Sequence, residues 1–145
     1  MTPRALITAS LAVFLSAIVT IRDAPHSTVL AQASSDTYTN VYNGWKWWHV
    51  YCFRCHGQDA IATAIAPSLI DPMAQLTSAK FLRIVRDGRP DKGMAAWGTL
   101  LDAKQIGQIH LYVRARTDNI LPPGRPDEVG PNKGPWAPPA GWPKR

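Results

Sequence analysis

The chain has only two cysteines, and both lie in one short segment, Cys52-Phe53-Arg54-Cys55-His56. Thiols at this spacing sit about one helical turn apart. They can add to the two vinyl groups of a haem while the adjacent histidine presents a nitrogen to the iron. The same spacing also occurs in redox-active dithiols and in halves of zinc sites. The dithiol motif opens a helix after a strand and draws its reactivity from the helix N-terminus, whereas here the motif closes a helical pattern and no strand precedes it. A zinc site needs two more ligands, and His26, His49 and His110 are not grouped to supply them. A bridge between Cys52 and Cys55 closes too short a loop to remove much chain entropy. Two cysteines exclude a disulfide framework, and no glycine-rich run ends in Gly-Lys-Ser or Gly-Lys-Thr, which excludes a P-loop.

An iron held by His56 has a second axial position, for which Met73, Met94, His49 and His110 are candidates. Met94 is the leading one. It lies in an irregular segment, Gly93-Met94-Ala95-Ala96-Trp97-Gly98, that can wrap the far side of a ring, and a thioether opposite histidine favours reduced iron. The competing reading of a methionine, filler of a gap in the core, suits Met73 better. His49 precedes Cys52 by three residues on the same helix and cannot reach the opposite face. His110 stands among polar neighbours and is read as a solvated surface residue.

The elements that must position these groups are helical. Asp36 or Thr37 can cap a helix over Tyr38 to Phe53, with Val41, Trp45, Trp48 and Cys52 at helical spacing and the motif on its last turn. Thr77 or Ser78 opens a second helix, Ala79 to Arg86, in which Phe81, Leu82, Ile84 and Val85 are apolar and which Gly88 stops in a left-handed conformation. Asp102 caps a third, running to about Arg116, with Ile106, Ile109, Tyr112 and Val113 inward and Lys104, Gln105, Gln108 and Arg114 facing water. Residues Gly57 to Pro72 and Arg89 to Leu101 read as irregular. No run alternates with a period of two, so the expected class is all-α. Three short helices joined by long loops bury too little surface to stand alone, and a large apolar group in the middle would complete the core.

The remaining sequence bounds location and partners. Arg4, the apolar stretch Ala5 to Ile21 and the small-x-small site Ala31-Gln32-Ala33 read as an export signal spanning residues 1–33. The alternative is a retained membrane tether, although Thr8, Ser10, Ser16 and Thr20 weaken the stretch as a permanent span. A compact domain over 34–120 then precedes an extension, 121–145, with eight prolines and four glycines, through which no regular element is expected to run. A hydrophobic content of 46% excludes disorder over most of the chain. The net charge of +6 comes from scattered basic residues, which argues against nucleic-acid binding and for a partner with an acidic face.

Taken together, residues Thr39 to Arg116 resemble a class I c-type cytochrome. Gly44, Trp48 and Cys52 match that family's first helix, and Ile109 with Tyr112 match its last. The resemblance implies a cytochrome c fold of short helices and long loops around one covalent haem c. Cys52 and Cys55 would attach the haem, with His56 and Met94 as axial ligands. It also implies a loop, Pro67-Ser68-Leu69, whose proline carbonyl accepts the Nδ1 proton of His56 and holds one tautomer. Gly44 would let the helices cross closely, with Trp48 and Tyr112 packed in the contact, and Trp97 would help exclude water from the ring. Ala95 stands where the family usually has proline after the methionine.

A narrower resemblance, carried by Gly-Met-x-x-Trp-Gly around Met94 and the Pro/Trp extension ending Trp136 to Pro143, is to periplasmic cytochromes that accept electrons from pyrroloquinoline-quinone (PQQ) dependent methanol and ethanol dehydrogenases. It implies a monomeric single-electron carrier, not an enzyme, with no small-molecule substrate. Its donor would be such a dehydrogenase and its acceptor a cytochrome or terminal oxidase. Arg54, Arg89 and Lys92 are then candidates for steering an acidic partner, and Trp136 and Trp142 are expected to pack back on the domain rather than grip the enzyme. The rivals are a membrane-tethered subunit of another oxidoreductase and a haem-based sensor or enzyme with a labile sixth ligand.

Overall fold

The computed structural model describes the backbone of residues 26–143 and the side chains of residues 35–143. Residues 1–25 of the expected export segment lie outside the described residues, whereas the backbone of 26–33, which holds the expected cleavage site, belongs to the first helix. Five helices follow in order: α1 (His26–Tyr51), α2 (Phe53–His56), α3 (Ile70–Met73), α4 (Ser78–Asp87) and α5 (Ala103–Thr117). Two single 3₁₀ turns lie at Pro90–Lys92 and Pro131–Lys133. Among the described residues there is no strand, only an isolated bridge between Arg89 and Met94.

The start of α1 lies twelve residues upstream of the expected one. Asp36 and Thr37 are good caps but do not break a helix, and α1 runs through both without interruption. At its other end α1 stops at Tyr51, so the motif occupies a separate turn. Cys52 (φ −111°, ψ −36°) interrupts the helix, and its carbonyl accepts from the N–H groups of both Cys55 and His56, at 3.1 and 3.0 Å.

The caps of the later helices follow the sequence closely. Thr77 Oγ1 accepts from Lys80 N–H at 3.3 Å. Asp102 and Gln105 form a reciprocal capping box, with Gln105 N–H to Asp102 Oδ1 at 2.7 Å and Asp102 N–H to Gln105 Oε1 at 2.9 Å. Gly88 ends α4 at φ 71° but with an extended ψ of −172°, and a Cβ there would meet Ala96 N at 2.6 Å. That glycine thus lets the chain double back so that the methionine segment lies against the end of α4. Within the stretch expected to be irregular, Ile70–Met73 forms the one-turn α3, which buries Met73 in the core.

The core is the crossing of α1 and α5. Val41, Trp48, Ile106, Ile109, Tyr112 and Val113 are all essentially buried, and Phe81 and Val85 of α4 pack beside them. Gly44 makes the crossing possible, because a Cβ on it would stand 1.9 Å from the Gln108 carbonyl oxygen. That approach corrects one expectation. Gln108 does not face water; it is 6% exposed, donates to Asn40 Oδ1 at 3.0 Å and accepts from Trp47 Nε1 at 3.1 Å. His110 is likewise not a surface residue. It is half-buried with Phe81 edge-on at 5.2 Å, and its Nε2 is buried without a partner. Burial and the nearby Arg114 charge push its imidazole below the usual histidine value, against a bond to the Leu76 backbone.

The proline-rich extension wraps the end of α5 and the outer face of α1. Leu121 and Pro126 are fully buried and Trp136 is nearly so. Trp136 Nε1 donates to the Ile120 carbonyl at 2.8 Å, and Trp142 Nε1 donates to Asp118 Oδ2 at 2.8 Å. Arg125 lies over the Trp45 ring at 5.5 Å, tying the extension to α1.

Candidate haem site

Backbone hydrogen bonds around the motif hold His56 in one orientation. Its Nδ1 lies 3.0 Å from the Pro67 carbonyl oxygen, which as an acceptor fixes the proton on Nδ1 and leaves the Nε2 lone pair free for a metal. The loop that brings Pro67 there is itself pinned. Ala62 N–H donates to the His56 carbonyl at 3.1 Å, Leu69 N–H to the Ala60 carbonyl at 2.9 Å, and the Thr63 hydroxyl to the Cys55 carbonyl. Behind the imidazole, the Trp48 ring lies 6.0 Å from that of His56 and 5.9 Å from that of Tyr112. Trp48 Nε1 donates to the Gly57 carbonyl at 3.0 Å, and Tyr112 Oη donates to the Gln58 carbonyl at 3.3 Å. His56, Pro67, Trp48 and Tyr112 thus form one group, and Leu69, half-buried, packs against the core beside it.

Met94 and Trp97 sit on the segment folded against α4. Arg89 and Met94 exchange backbone hydrogen bonds at 2.8 and 3.0 Å, closing a tight loop over the Pro90–Lys92 turn. Trp97 N–H donates to the Val85 carbonyl at 3.0 Å, and its ring meets Tyr51, next to Cys52, edge-on at 5.6 Å. The methionine segment is therefore held at the motif end of α1. Of the other candidate ligands, Met73 is buried in the core, and His49 lies between a tilted Trp45 ring and a stacked Phe53 ring with its Nδ1 2.8 Å from the Trp45 carbonyl oxygen.

Both cysteines are free. Burial, with the neighbouring Cys55, pushes the Cys52 thiol up to about 12, so at neutral pH it is a protonated thiol, the opposite of an activated redox dithiol. Among the described residues no cluster of histidine, cysteine and carboxylate groups could hold a metal ion by itself. Two thiols, an imidazole with its distal nitrogen free and a thioether fit haem c. So does the apolar surface around them: Ile61 and Ile65, on the loop between His56 and Pro67, are 61% and 73% exposed, and Val50, Phe53 and Leu100 are exposed nearby. Thr63, which pins the His56 loop, and Asp59, which ties it to Gly124 N–H and Arg116, carry no signal in the sequence beyond Asp59 being the carboxylate nearest the motif.

Among the described residues no helix is long and apolar enough to cross a membrane. Residues 39–113 match the family model described as cytochrome c oxidase, cbb3-type, subunit III. The quinohemoprotein alcohol dehydrogenase ADH-IIG of Pseudomonas putida is 32% identical over 90 residues, covering 60% of this chain and 12% of that protein. Cytochrome c-553I of Paracoccus denitrificans is 28% identical over 114 residues, covering 74% of this chain and half of that one. The crystal structure of the c-type cytochrome XoxG from Methylobacterium extorquens AM1 superposes with a TM-score of 0.54 at 26% identity, over 60% of this chain and 56% of that one. The chain thus spans half or less of the length of the curated relatives it matches. On the fold, the motif and these matches, the chain belongs to the family described as cytochrome c oxidase, cbb3-type, subunit III, and is a class I c-type cytochrome with covalently bound haem c.

Proposed function

We propose that the protein is a periplasmic carrier of single electrons, reduced by a PQQ-dependent alcohol dehydrogenase of the methanol type and oxidised by a downstream cytochrome or terminal oxidase. In this reading Cys52 and Cys55 would attach the haem through thioethers, and His56 Nε2 and the Met94 sulfur would bind its iron. The bound haem supplies a one-electron ferric/ferrous couple. The chain supplies the rest. Pro67 holds the His56 tautomer, the Arg89–Met94 backbone pair holds the thioether segment, and Trp97 with Leu69 shields the ring from water. Backbone hydrogen bonds fix the His56 and Met94 segments, so the chain need not rearrange when an electron enters or leaves. Arg54, Arg89 and Lys92 are exposed and would steer an acidic partner towards this end of the molecule.

The observation that carries the reading of the site is the 3.0 Å contact between His56 Nδ1 and the Pro67 carbonyl oxygen, which leaves the Nε2 lone pair, beside the two thiols, available to a metal. The similarity to a quinohemoprotein alcohol dehydrogenase supports the choice of donor. The test is the rate at which a purified PQQ-dependent alcohol dehydrogenase, turning over its alcohol, reduces the oxidised protein. Reduction should slow with rising salt, and Arg89→Glu with Lys92→Glu should slow it further and flatten the salt dependence. Reduction by a small chemical reductant but not by the dehydrogenase would remove that donor. The family description favours one second reading, a subunit of a larger oxidoreductase, which stable co-purification with a membrane complex would establish.

A further inference from the structure

A buried pair of opposite charges lies close to the iron ligand. Asp59 follows His56 by three residues, which places their backbones within about 11 Å of each other. Its carboxylate faces the Arg116 guanidinium of α5, with Oδ1 4.0 Å from Nε and side chains 13% and 8% exposed. The extension seals the pair. Gly124 N–H donates to Asp59 Oδ1 at 3.1 Å, and Arg116 Nη1 donates to the Leu121 carbonyl. Arg116 Nε has no hydrogen-bond partner, so the two side chains meet through charge rather than a shared proton. The aromatic group behind His56 lies beside them. Tyr112 is raised above the usual phenol value chiefly by burial, then by the Asp59 carboxylate, and is lowered by Arg116, so both charges are felt inside the core with opposite signs.

A buried ion pair is a weak source of stability, since apolar side chains of the same volume commonly do as well or better. Its charges, however, act at a distance through a medium that screens poorly. We propose that Asp59 and Arg116 act on the reduction potential of the haem in opposite senses, Asp59 favouring the ferric and Arg116 the ferrous state, so that each offsets the other and loss of either one moves the potential. The inference rests on haem attachment at Cys52, Cys55 and His56. One electron enters or leaves the iron, and at the pair no bond forms or breaks and no proton moves. For a separation on the order of 12 Å and an effective dielectric of about 20 to 40, each charge shifts the electron-exchange equilibrium about three- to tenfold, tenfold being about 59 mV for a one-electron couple.

The experiment is a redox titration of the purified holoprotein against a mediator of known potential, with Asp59→Asn, Arg116→Gln and the double variant. Asparagine keeps an acceptor for Gly124 N–H, so the first change removes charge with little change of shape. Asp59→Asn should shift the equilibrium towards reduced protein by about three- to tenfold, Arg116→Gln should shift it towards oxidised protein by a similar factor, and the double variant should lie between them. If one single variant does not accumulate, the step from the other to the double variant reads the same charge. Loss of packing alone would move both single variants in one direction, and that result, or no shift in any variant, overturns the proposal. A parent protein without c-type bands would remove the haem reading itself, which is seen before any titration begins.

Discussion

Alanine at Gly44 would drive its new methyl group into backbone. The Cβ would stand 1.9 Å from the Gln108 carbonyl oxygen, 2.5 Å from its carbon and 3.0 Å from Ile109 N, against ordinary contacts of 3.4–4 Å. None of these atoms belongs to a side chain that could rotate away, so α1 and α5 must separate by about 1.5 Å in a core packed as tightly as a crystal. Trp48, Ile109 and Tyr112 lie in that seam, and a gap of 0.5–1 Å at such contacts forfeits a quarter to a half of their dispersion energy. Against this, alanine is the better helix former by about 1 kcal/mol. Overpacking costs about 1–3 kcal/mol where side chains can give way and about 3–4 kcal/mol where backbone blocks relief, as here, so a net loss of about 2–3 kcal/mol is expected. In urea unfolding of the holoprotein, with a slope of about 1–1.5 kcal/mol/M, the midpoint should fall by about 2 M. A midpoint equal to or above that of the parent would refute the account of the crossing.

The extension and the buried histidine give two further expectations. Trp136→Ala should remove about 3–5 kcal/mol of stability and lower the thermal midpoint with the haem bands intact, because Trp136 is 5% exposed and satisfies the Ile120 carbonyl; an unchanged midpoint would mean that the extension serves a partner instead. His110 is held below the ordinary histidine value of 6.5 in the fold, by burial first. The unfolded chain therefore binds more protons, and the stability that His110 contributes is fully present above pH 6.5 and is lost as pH falls through its lower folded value. Chemical unfolding midpoints measured across this range should decline towards acid, less so in His110→Gln, and equal slopes in the two proteins would contradict the assignment.

Much of this architecture was legible because local chemistry decides it. The hydroxyl of Thr77, the Asp102–Gln105 box and the positive φ of Gly88 mark the ends of α4 and α5 within a residue or two, and Gly44 with Trp48 and Tyr112 marks the crossing. The start of α1 was not legible, because a residue that can cap a helix does not thereby begin one. Nor was α3, a single turn with Pro72 inside it. Gln108 and His110 were misplaced for a shared reason: a helical period identifies one apolar face, but α5 is covered on several sides, by α1 at Gln108 and by α4 at His110. The motif is what marks Cys52, Cys55 and His56 as the candidate haem site. The Asp59–Arg116 pair could not be read in the same way, since it joins residues far apart in the chain and depends on Gly124 and Leu121 of the extension to bury it.

The assignment of the ligands is tested most directly by the optical spectrum of the purified protein, oxidised and reduced, for the parent and for Met94→Ala. The parent should show c-type haem bands and the weak near-red band of a methionine sulfur on ferric iron, and should bind neither cyanide when oxidised nor carbon monoxide when reduced at any appreciable rate. Met94→Ala should lose the near-red band, keep the haem and bind both. Haem bands without the sulfur band in the parent, or a sulfur band that survives in Met94→Ala, would contradict the account.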